Sequence, residues 1–316
     1  MLAGVALGAL GCGAAFSQPF PGRAIAVIVP YAAGGGVDIV TRIVAEALGQ
    51  QLGQSIVVDN RPGASTNIGM AAAAKAAPDG YTLLTASNTL ASNGALFKQL
   101  PFDPAADFTA IGKLGDAPLV IVVPAASPYA SLKALIDAGK ANPQALSYGS
   151  AGNGSSGHLA SELLKQETGL QALHVPYKGG SPAITDLLGG RLSFMSINPL
   201  EVLPHIQSGK LRALAVYGGK PVPSLPGVPT TAALGFASLE ATVWWGLVGP
   251  KGMPPEVVQR LGDALQVALS KPDVRERLAL RGATADSGGP AEFAAFIASE
   301  TRKWSRVIRS AGIEAD

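Results

Sequence analysis

Short runs of apolar residues alternate with amphipathic stretches along most of this chain. The apolar runs have the length and flanking turns of buried β-strands, and the amphipathic stretches repeat their apolar residues at helical spacing. Strands are predicted at residues 24–30, 55–59, 81–86, 119–123, 146–148, 172–177, 192–196, 211–217 and 241–248, and helices at residues 37–52, 65–76 (capped by Ser65 or Thr66), 132–141, 155–168, 182–188 and 200–207. Helices between successive strands favour parallel pairing, so the pattern predicts an α/β fold with helices on both faces of its sheets.

The last part of the chain has a different pattern. After the strand at 241–248, helical periodicity is present at 257–269, 273–281 and 290–311, and no further strand is predicted. A helical tail after a second α/β block is typical of a two-lobed protein whose chain returns to its first lobe. We place the crossovers near residues 118–124 and 240–245. This gives a first lobe of residues 18–121 plus 243–316 and a second lobe of residues 122–242.

Charge and aromatic content exclude some classes of partner. The 316 residues carry 24 Lys and Arg against 22 Asp and Glu, and only 6% of them are aromatic. No basic run or interleaving of aromatic with basic residues occurs, so no nucleic-acid partner is expected. The 39 Gly and 24 Pro punctuate the apolar runs and do not form low-complexity tracts, which argues against disorder.

The N-terminus has the pattern of a secretion signal. Residues 2–16 are all apolar or glycine, and residues 15–17 form a small-x-small cleavage site. The apolar run is too short to anchor the chain in a bilayer, so a signal peptide over residues 1–17 and a periplasmic location are expected. A basic region before the apolar run is missing, which a start codon placed a few residues too late explains. Lipid attachment at Cys12, the only cysteine, is the less favoured alternative.

Two glycine-rich loops, at residues 28–44 and 146–164, each follow a predicted strand and open a predicted helix. Their sequences are IVPYAAGGGVDIVTRIV and LSYGSAGNGSSGHLASELL. Small residues leave the first backbone N–H groups of each helix free, and a helix N-terminus attracts anions through these donors and its partial positive charge. The two loops therefore suggest two lobes that close on one small anion.

Patterns for nucleotide binding and catalysis are incomplete. Residues 152–157 match G-x-G-x-x-G, but a dinucleotide site needs an acidic residue at the end of the next strand, where the sequence is Tyr177-Lys178-Gly179. No G-x-S-x-G hydrolase elbow occurs near the loops, and no cysteine follows the predicted signal peptide. The three histidines show no zinc-motif spacing. We therefore expect no cofactor, no metal and no catalytic residue.

Polar side chains beside the loops have both structural and binding interpretations. Asp38 is expected to cap the first helix and orient its loop, and the alternative is that it holds a ligand ammonium group. The short side chains of Ser150, Asn153, Ser155 and Ser156 suit either a carboxylate or the start of the second helix.

A third strand-to-helix loop and the histidines complete this group. Residues 177–181 are expected at the edge of the same cleft. For His158, a ligand contact and simple capping or packing are equally favoured. For His174, in an apolar strand, and His205, in a helix, the structural role is favoured.

Nine stretches of the chain, in their order and spacing, resemble the substrate-binding receptors of tripartite tricarboxylate transporters, or Bug-type periplasmic receptors. They are IVPYAAGGGVD, VVDNRPGAS, IGMAAAAKAAPDGYTLL, LPFDPAADF, YGSAGNGSSGHLASELL, HVPYKGGSPAITDLLGG, GKLRALAV, LPGVPT and WWGLVGP. The resemblance implies a type II periplasmic binding protein fold: two α/β lobes, each a mostly parallel sheet flanked by helices, with a hinge crossed twice and a ligand in the cleft. Val37 and Ser196 depart from the family, which usually has Thr and an acidic or polar residue there.

The resemblance also implies a function. The ligand would be a small organic carboxylate, and the partner a membrane permease with a large and a small subunit. The predicted ligand-binding residues are Tyr31, Ala33, Gly34, Gly35, Gly36, Asp38, Ser87, Ser150, Ala151, Gly152, Asn153, Gly154, Ser155, Ser156, His158, Tyr177, Lys178, Gly179 and Ser196. We expect a monomeric exported receptor that is not an enzyme. A ligand sensor for a membrane signalling partner and an exported enzyme acting on a small carboxylic acid are the alternatives.

Overall fold

The computed structural model describes residues 20–286 and 288–314. The strands are β1 Ile25–Val29, β2 Ile56–Asn60, β3 Thr82–Ala86, β4 Phe108–Pro118, β5 Val120–Pro124, β6 Ser147–Ser150, β7 Leu173–Pro176, β8 Phe194–Ile197, β9 Leu211–Val216, β10 Thr242–Pro250 and β11 Thr284–Ala285. The helices are α1 Gly36–Leu52, α2 Asn67–Ala74, α3 Asn88–Leu96, α4 Leu132–Ala141, α5 Ser156–Thr168, α6 Gly180–Leu188, α7 Pro199–Gln207, α8 Pro255–Ser270, α9 Pro272–Ala279 and α10 Pro290–Ala311. The predicted signal peptide and Cys12 lie outside the described residues.

The strands form two sheets flanked by helices. The six-stranded sheet has the order β11-β4-β10-β3-β1-β2, and the five-stranded sheet has the order β7-β6-β8-β5-β9. In each sheet the pairs built by strand-helix-strand units are parallel, such as β1 with β2 and β6 with β7. β10 and β5 run antiparallel to both of their neighbours, and β11 runs antiparallel to β4, so both sheets are mixed. The expectation of mostly parallel sheets is therefore wrong in this detail, because these strands do not belong to strand-helix-strand units.

The chain passes between the sheets twice. It leaves the six-stranded sheet at the end of β4 and enters β5 after Leu119, and it returns between β9 and β10. The two passages are hydrogen-bonded to each other: the N–H of Leu119 donates to the carbonyl of Ala241 at 3.0 Å, and the N–H of Tyr217 donates to the carbonyl of Leu119 at 2.9 Å. Within the returning segment, the N–H of Gly218 donates to the carbonyl of Leu239 at 2.9 Å. We call these two segments, Leu119 and residues 217–241, the crossover pair.

The two tryptophans of β10 tie the sheet to its helices. Trp244 and Trp245 are both fully buried, and they lie in different core clusters because successive strand residues point to opposite faces. Trp244 packs edge-on against Phe293 and Phe296 of α10, at ring-centroid distances of 5.8 and 5.4 Å. The helical tail is thereby fixed to the six-stranded sheet.

Some elements differ from the sequence predictions. α3 and β4 fill a stretch where no element was predicted. The expectation of a tail without strands is wrong, because β11 pairs antiparallel with β4. The expected side-chain cap of α2 is also absent: Thr66 precedes the helix, but its hydroxyl donates to the carbonyl of Ser65, and both residues have positive φ.

Candidate functional site

The N-termini of helices that flank the two different sheets converge on one small cavity. Its volume is about 30 Å³, and the start of α1 faces the starts of α5, α6 and α7 across it. The lining residues are Tyr31, Gly35, Gly36, Val37, Ser87, Ala151, Ser155, Ser156, Gly180, Asn198, Glu201, Val243 and Trp245. We call this space the cleft cavity.

The first glycine loop is held by Asp38, which stands behind the loop. One carboxylate oxygen, Oδ2, accepts from the N–H of Gly34 at 2.9 Å, and Nε of Arg42 donates to both oxygens at 3.0 Å. Asn60 donates to Oδ1 at 3.0 Å and to the carbonyl of Tyr31 at 3.1 Å. Burial opposes ionisation of Asp38, but these hydrogen bonds outweigh it and lower its pKa. Its oxygens are occupied, so Asp38 orients the loop and does not line the cleft cavity.

The second glycine loop is braced by two stacked histidines. Nδ1 of His158 accepts from the N–H of Gly154 at 3.1 Å, and Nε2 of His174 lies 2.7 Å from Oγ of Ser150. The two imidazole rings stack at a centroid distance of 4.0 Å. Burial lowers the pKa of His158 to about 4 and that of His174 to about 3, so both are neutral at neutral pH. Oγ of Ser155 caps α5 by accepting from the N–H of His158 at 3.4 Å.

Contacts also join the loops of one sheet to those of the other. The N–H of Ala32 donates to the carbonyl of Lys178 at 3.1 Å. Oγ of Ser92, on α3, donates to the carbonyl of Gly154 at 2.9 Å. These bonds hold the two halves of the cleft together.

Gly154 is required for packing and backbone shape. Its φ is +74°, and a Cβ there would lie 2.5 Å from Cδ1 of Leu96 and 2.7 Å from Oγ of Ser92. The missing side chain therefore makes room for α3.

The predicted ligand-binding residues divide into two groups. Those lining the cleft cavity are Tyr31, Gly35, Gly36, Ser87, Ala151, Ser155 and Ser156. Those outside its lining are Ala33, Gly34, Asp38, Ser150, Gly152, Asn153, Gly154, His158, Tyr177, Lys178, Gly179 and Ser196. In the second group, Ser196 bonds Oγ of Ser161 and the hydroxyl of Tyr217 inside the core, and Tyr177 donates to Asp186.

The remaining lining residues were not among the predicted ligand-binding residues: Val37, Gly180, Asn198, Glu201, Val243 and Trp245. Val37 and Gly180 lie in loops that were expected at the cleft, whereas sequence reasoning missed the other four. A signal for two of them was present. Asn198-Pro199-Leu200-Glu201 follows β8 and opens α7 with Asn at the cap, Pro at the first position and Glu at the third, the pattern of a capped helix start. The helix has no glycine-rich loop before it, so it was not recognised as a further anion-attracting terminus.

Glu201 is the least expected group in the site. Its Oε1 accepts from Nδ2 of Asn198 at 2.6 Å. Its Oε2 is buried and has no hydrogen-bond partner among residues 20–286 and 288–314. Burial raises the pKa of Glu201 to about 7, against the weaker opposing effects of Asn198 and the backbone N–H of Gly36. A Cβ on Gly180 would collide with this carboxylate, so the glycine at the start of α6 makes room for it.

Two further observations concern membrane spans and metal sites. In the described ranges, no helix is both long enough and apolar enough to cross a membrane. The same residues contain no group of three or more His, Cys, Asp or Glu side chains placed to hold a metal ion.

Comparisons with known proteins agree with this architecture. Residues 40–313 match the tripartite tricarboxylate transporter family receptor. The periplasmic binding protein BugD is 34% identical, with 94% of this chain and 100% of that chain covered and a TM-score of 0.90. Rpa4515 of R. palustris, solved with adipate, is 33% identical, with 93% and 99% covered and a TM-score of 0.90. MatC of Rhodopseudomonas palustris, solved with bound malate, is 30% identical, with 92% and 100% covered and a TM-score of 0.87.

These matches extend over nearly the whole described structure and confirm the predicted α/β periplasmic binding protein fold. The chain belongs to the receptor family of tripartite tricarboxylate transporters, which includes the Bug-type proteins.

Proposed function

We propose that this protein is a periplasmic receptor that binds a small organic carboxylate in the cleft cavity and delivers it to a tripartite tricarboxylate transporter. The observation that carries the proposal is the convergence of the starts of α1 and α5, from the two different sheets, on one cavity. The backbone N–H groups and the partial positive charge at helix starts suit a carboxylate. The adipate and malate held by Rpa4515 and MatC are ligands of this class.

The delivery partner in this proposal is a membrane permease of one large and one small subunit. Export would remove residues 1–17, and the intact mass of the secreted protein tests this directly. We propose binding without a catalytic step. This agrees with the contacts of His158. Its Nδ1 accepts from the N–H of Gly154, its ring stacks on that of His174, and it does not line the cleft cavity.

Small carboxylates are expected to raise the unfolding temperature. A ligand that binds only the folded chain stabilises it by mass action, by about 2.7 kcal/mol at a hundred times the dissociation constant. A thermal-shift screen with mono-, di- and aromatic carboxylates measures this, and the corresponding primary amides serve as controls. If no carboxylate raises the unfolding temperature, the proposed function is wrong.

Ligand entry requires the two halves of the cleft to separate. A volume of about 30 Å³ has room for one or two water molecules. We propose lobes of residues 18–121 plus 243–316 and 122–242, which move about the crossover pair. A ligand that contacts both lobes then stabilises the closed form.

Small-angle scattering is expected to show this motion as a smaller radius of gyration at ligand saturation. Far-ultraviolet circular dichroism should remain the same, because the lobes move as units. An unchanged scattering profile with saturating ligand would contradict the two-lobe closure.

A further inference from the structure

Two buried hydrogen-bond acceptors in the lining of the cleft cavity lack partners in the described part of the chain. They are Oε2 of Glu201 and Oδ1 of Asn198. The bond from Nδ2 of Asn198 to Oε1 of Glu201 fixes the amide, so its oxygen is left as an acceptor. Buried polar atoms without partners are costly, and a ligand that donates to both would remove this cost.

Both acceptors lie against the first glycine loop. A Cβ on Gly35 would be 3.5 Å from Oε2 of Glu201, and a Cβ on Gly36 would be 2.9 Å from Oδ1 of Asn198. The start of α1, which attracts an anion, is therefore within a few ångströms of two groups that attract a donor. Because the start of α1 and the two acceptors are so close together, one small ligand meets all of them when its anionic and donor groups are on neighbouring atoms.

Asp38, the other acid beside this loop, is not available to accept a hydrogen bond from a ligand. Its carboxylate already accepts from Gly34, Arg42 and Asn60, and it does not line the cavity. Trp245 also lines the cavity, and its buried indole N–H has no partner within the described ranges.

We propose that this receptor selects acids that carry a hydrogen-bond donor, an ammonium or hydroxyl group, on the carbon next to the carboxylate, and that Glu201 and Asn198 determine this specificity. The inference rests on the proposed function and names its substrate class. The helix starts bind the carboxylate, while Oε2 of Glu201 and Oδ1 of Asn198 accept from the donor. An acid without the donor leaves both acceptors unpaired in the closed cleft.

Titration calorimetry with matched acids tests the proposal. Each set shares one carbon chain and differs only in hydrogen, hydroxyl or ammonium at the carbon next to the carboxylate: propionate, lactate and alanine; succinate, malate and aspartate; glutarate, 2-hydroxyglutarate and glutamate. In the set that binds best, the wild type is expected to bind the hydroxyl or ammonium acid at least about tenfold tighter than the unsubstituted acid. The comparison between the two substituted acids identifies which donor is used.

The Glu201→Gln variant is expected to reduce this preference to about threefold or less, with the larger loss for an ammonium ligand, because glutamine keeps the shape but not the charge. Glu256→Gln is the matched control, since Glu256 is an exposed acid in the first turn of α8, which also begins with proline. It should leave the preference as in the wild type. Circular dichroism and the unfolding temperature confirm that both variants are folded.

The outcomes separate the two proposals. If the wild type binds the unsubstituted acids as tightly as the others, or if Glu201→Gln keeps the wild-type preference, the specificity proposal is overturned and the receptor function stands. If the wild type binds none of the acids in these sets or in the thermal-shift panel, the proposed function is overturned, and the specificity proposal falls with it.

Discussion

Replacing Gly36 by alanine is expected to weaken carboxylate binding by about tenfold or more without lowering the unfolding temperature. The new Cβ would lie 2.6 Å from Nδ2 and 2.9 Å from Oδ1 of Asn198, which stands on the opposite side of the cleft. Overpacking of this kind costs about 1–3 kcal/mol, and each 1.4 kcal/mol changes affinity about tenfold. Under the proposed closure, the clash arises only when the cleft is closed, whereas alanine suits the helical backbone of α1 better than glycine.

Calorimetric titration and thermal unfolding of the same preparations measure the two effects. Gly94→Ala is the matched control: it makes the same change in a helix, at an exposed site where the nearest atom to the new Cβ is Cγ of Pro104 at 3.8 Å. It should bind ligand like the wild type. Equal affinities for the two variants would show that the approach of α1 to Asn198 is not needed for binding.

The Glu201→Gln variant is expected to gain stability relative to the wild type as the pH rises from about 4.5 to about 7. The unfolded wild-type chain releases the Glu201 proton near its ordinary pKa of 4.5, but the folded chain holds it until about 7. A group that is protonated more strongly in the folded state stabilises it at low pH, and this contribution is lost as the pH rises through the window. The shift corresponds to at most about 3 kcal/mol in the free energy of unfolding.

Urea unfolding of the wild type and the variant at several pH values gives this difference. His158 and His174 act in the opposite direction, because their folded pKa values of about 4 and about 3 lie below the ordinary 6.5. Their contribution is present above that value and is lost as the pH falls. Both chains keep these histidines, so the difference between the chains isolates Glu201. Parallel stability profiles would mean that Glu201 is not buried as the structure has it.

The sequence predicted those parts of the site that rest on local backbone chemistry. Glycine-rich stretches between an apolar strand and a helix are a local pattern, and both places of this kind lead to the cleft cavity through Gly35, Gly36, Ser155 and Ser156. Strand and helix periodicity is also local, so most predicted element bounds lie within one or two residues of the observed ones. α4, predicted at 132–141, matches its bounds.

Other features depend on contacts between distant parts of the chain. α3 is polar, and its buried Asn88 and Asn93 bond to the carbonyls of Thr242 and Ser65, so no apolar stripe identifies it as a helix. Ser196 ends a predicted strand and was predicted to bind the ligand, but its hydroxyl forms hydrogen bonds with those of Ser161 and Tyr217.

Glu201 was missed for a similar reason. The sequence shows it only as an acid in the first turn of a helix, where a carboxylate usually meets solvent. Its burial becomes apparent only when α1 and α6 are placed against α7.

The crossover pair also limits the kind of motion available to the cleft. A single covalent strand between two bodies would allow torsion as well as bending, whereas two adjacent strands joined by the Leu119–Ala241 and Tyr217–Leu119 hydrogen bonds resist relative rotation about their length. Bending about an axis across both strands remains the least costly displacement. Under the proposed closure, bending about this pair would return the starts of α1 and α7 to the same register each time the cleft closes.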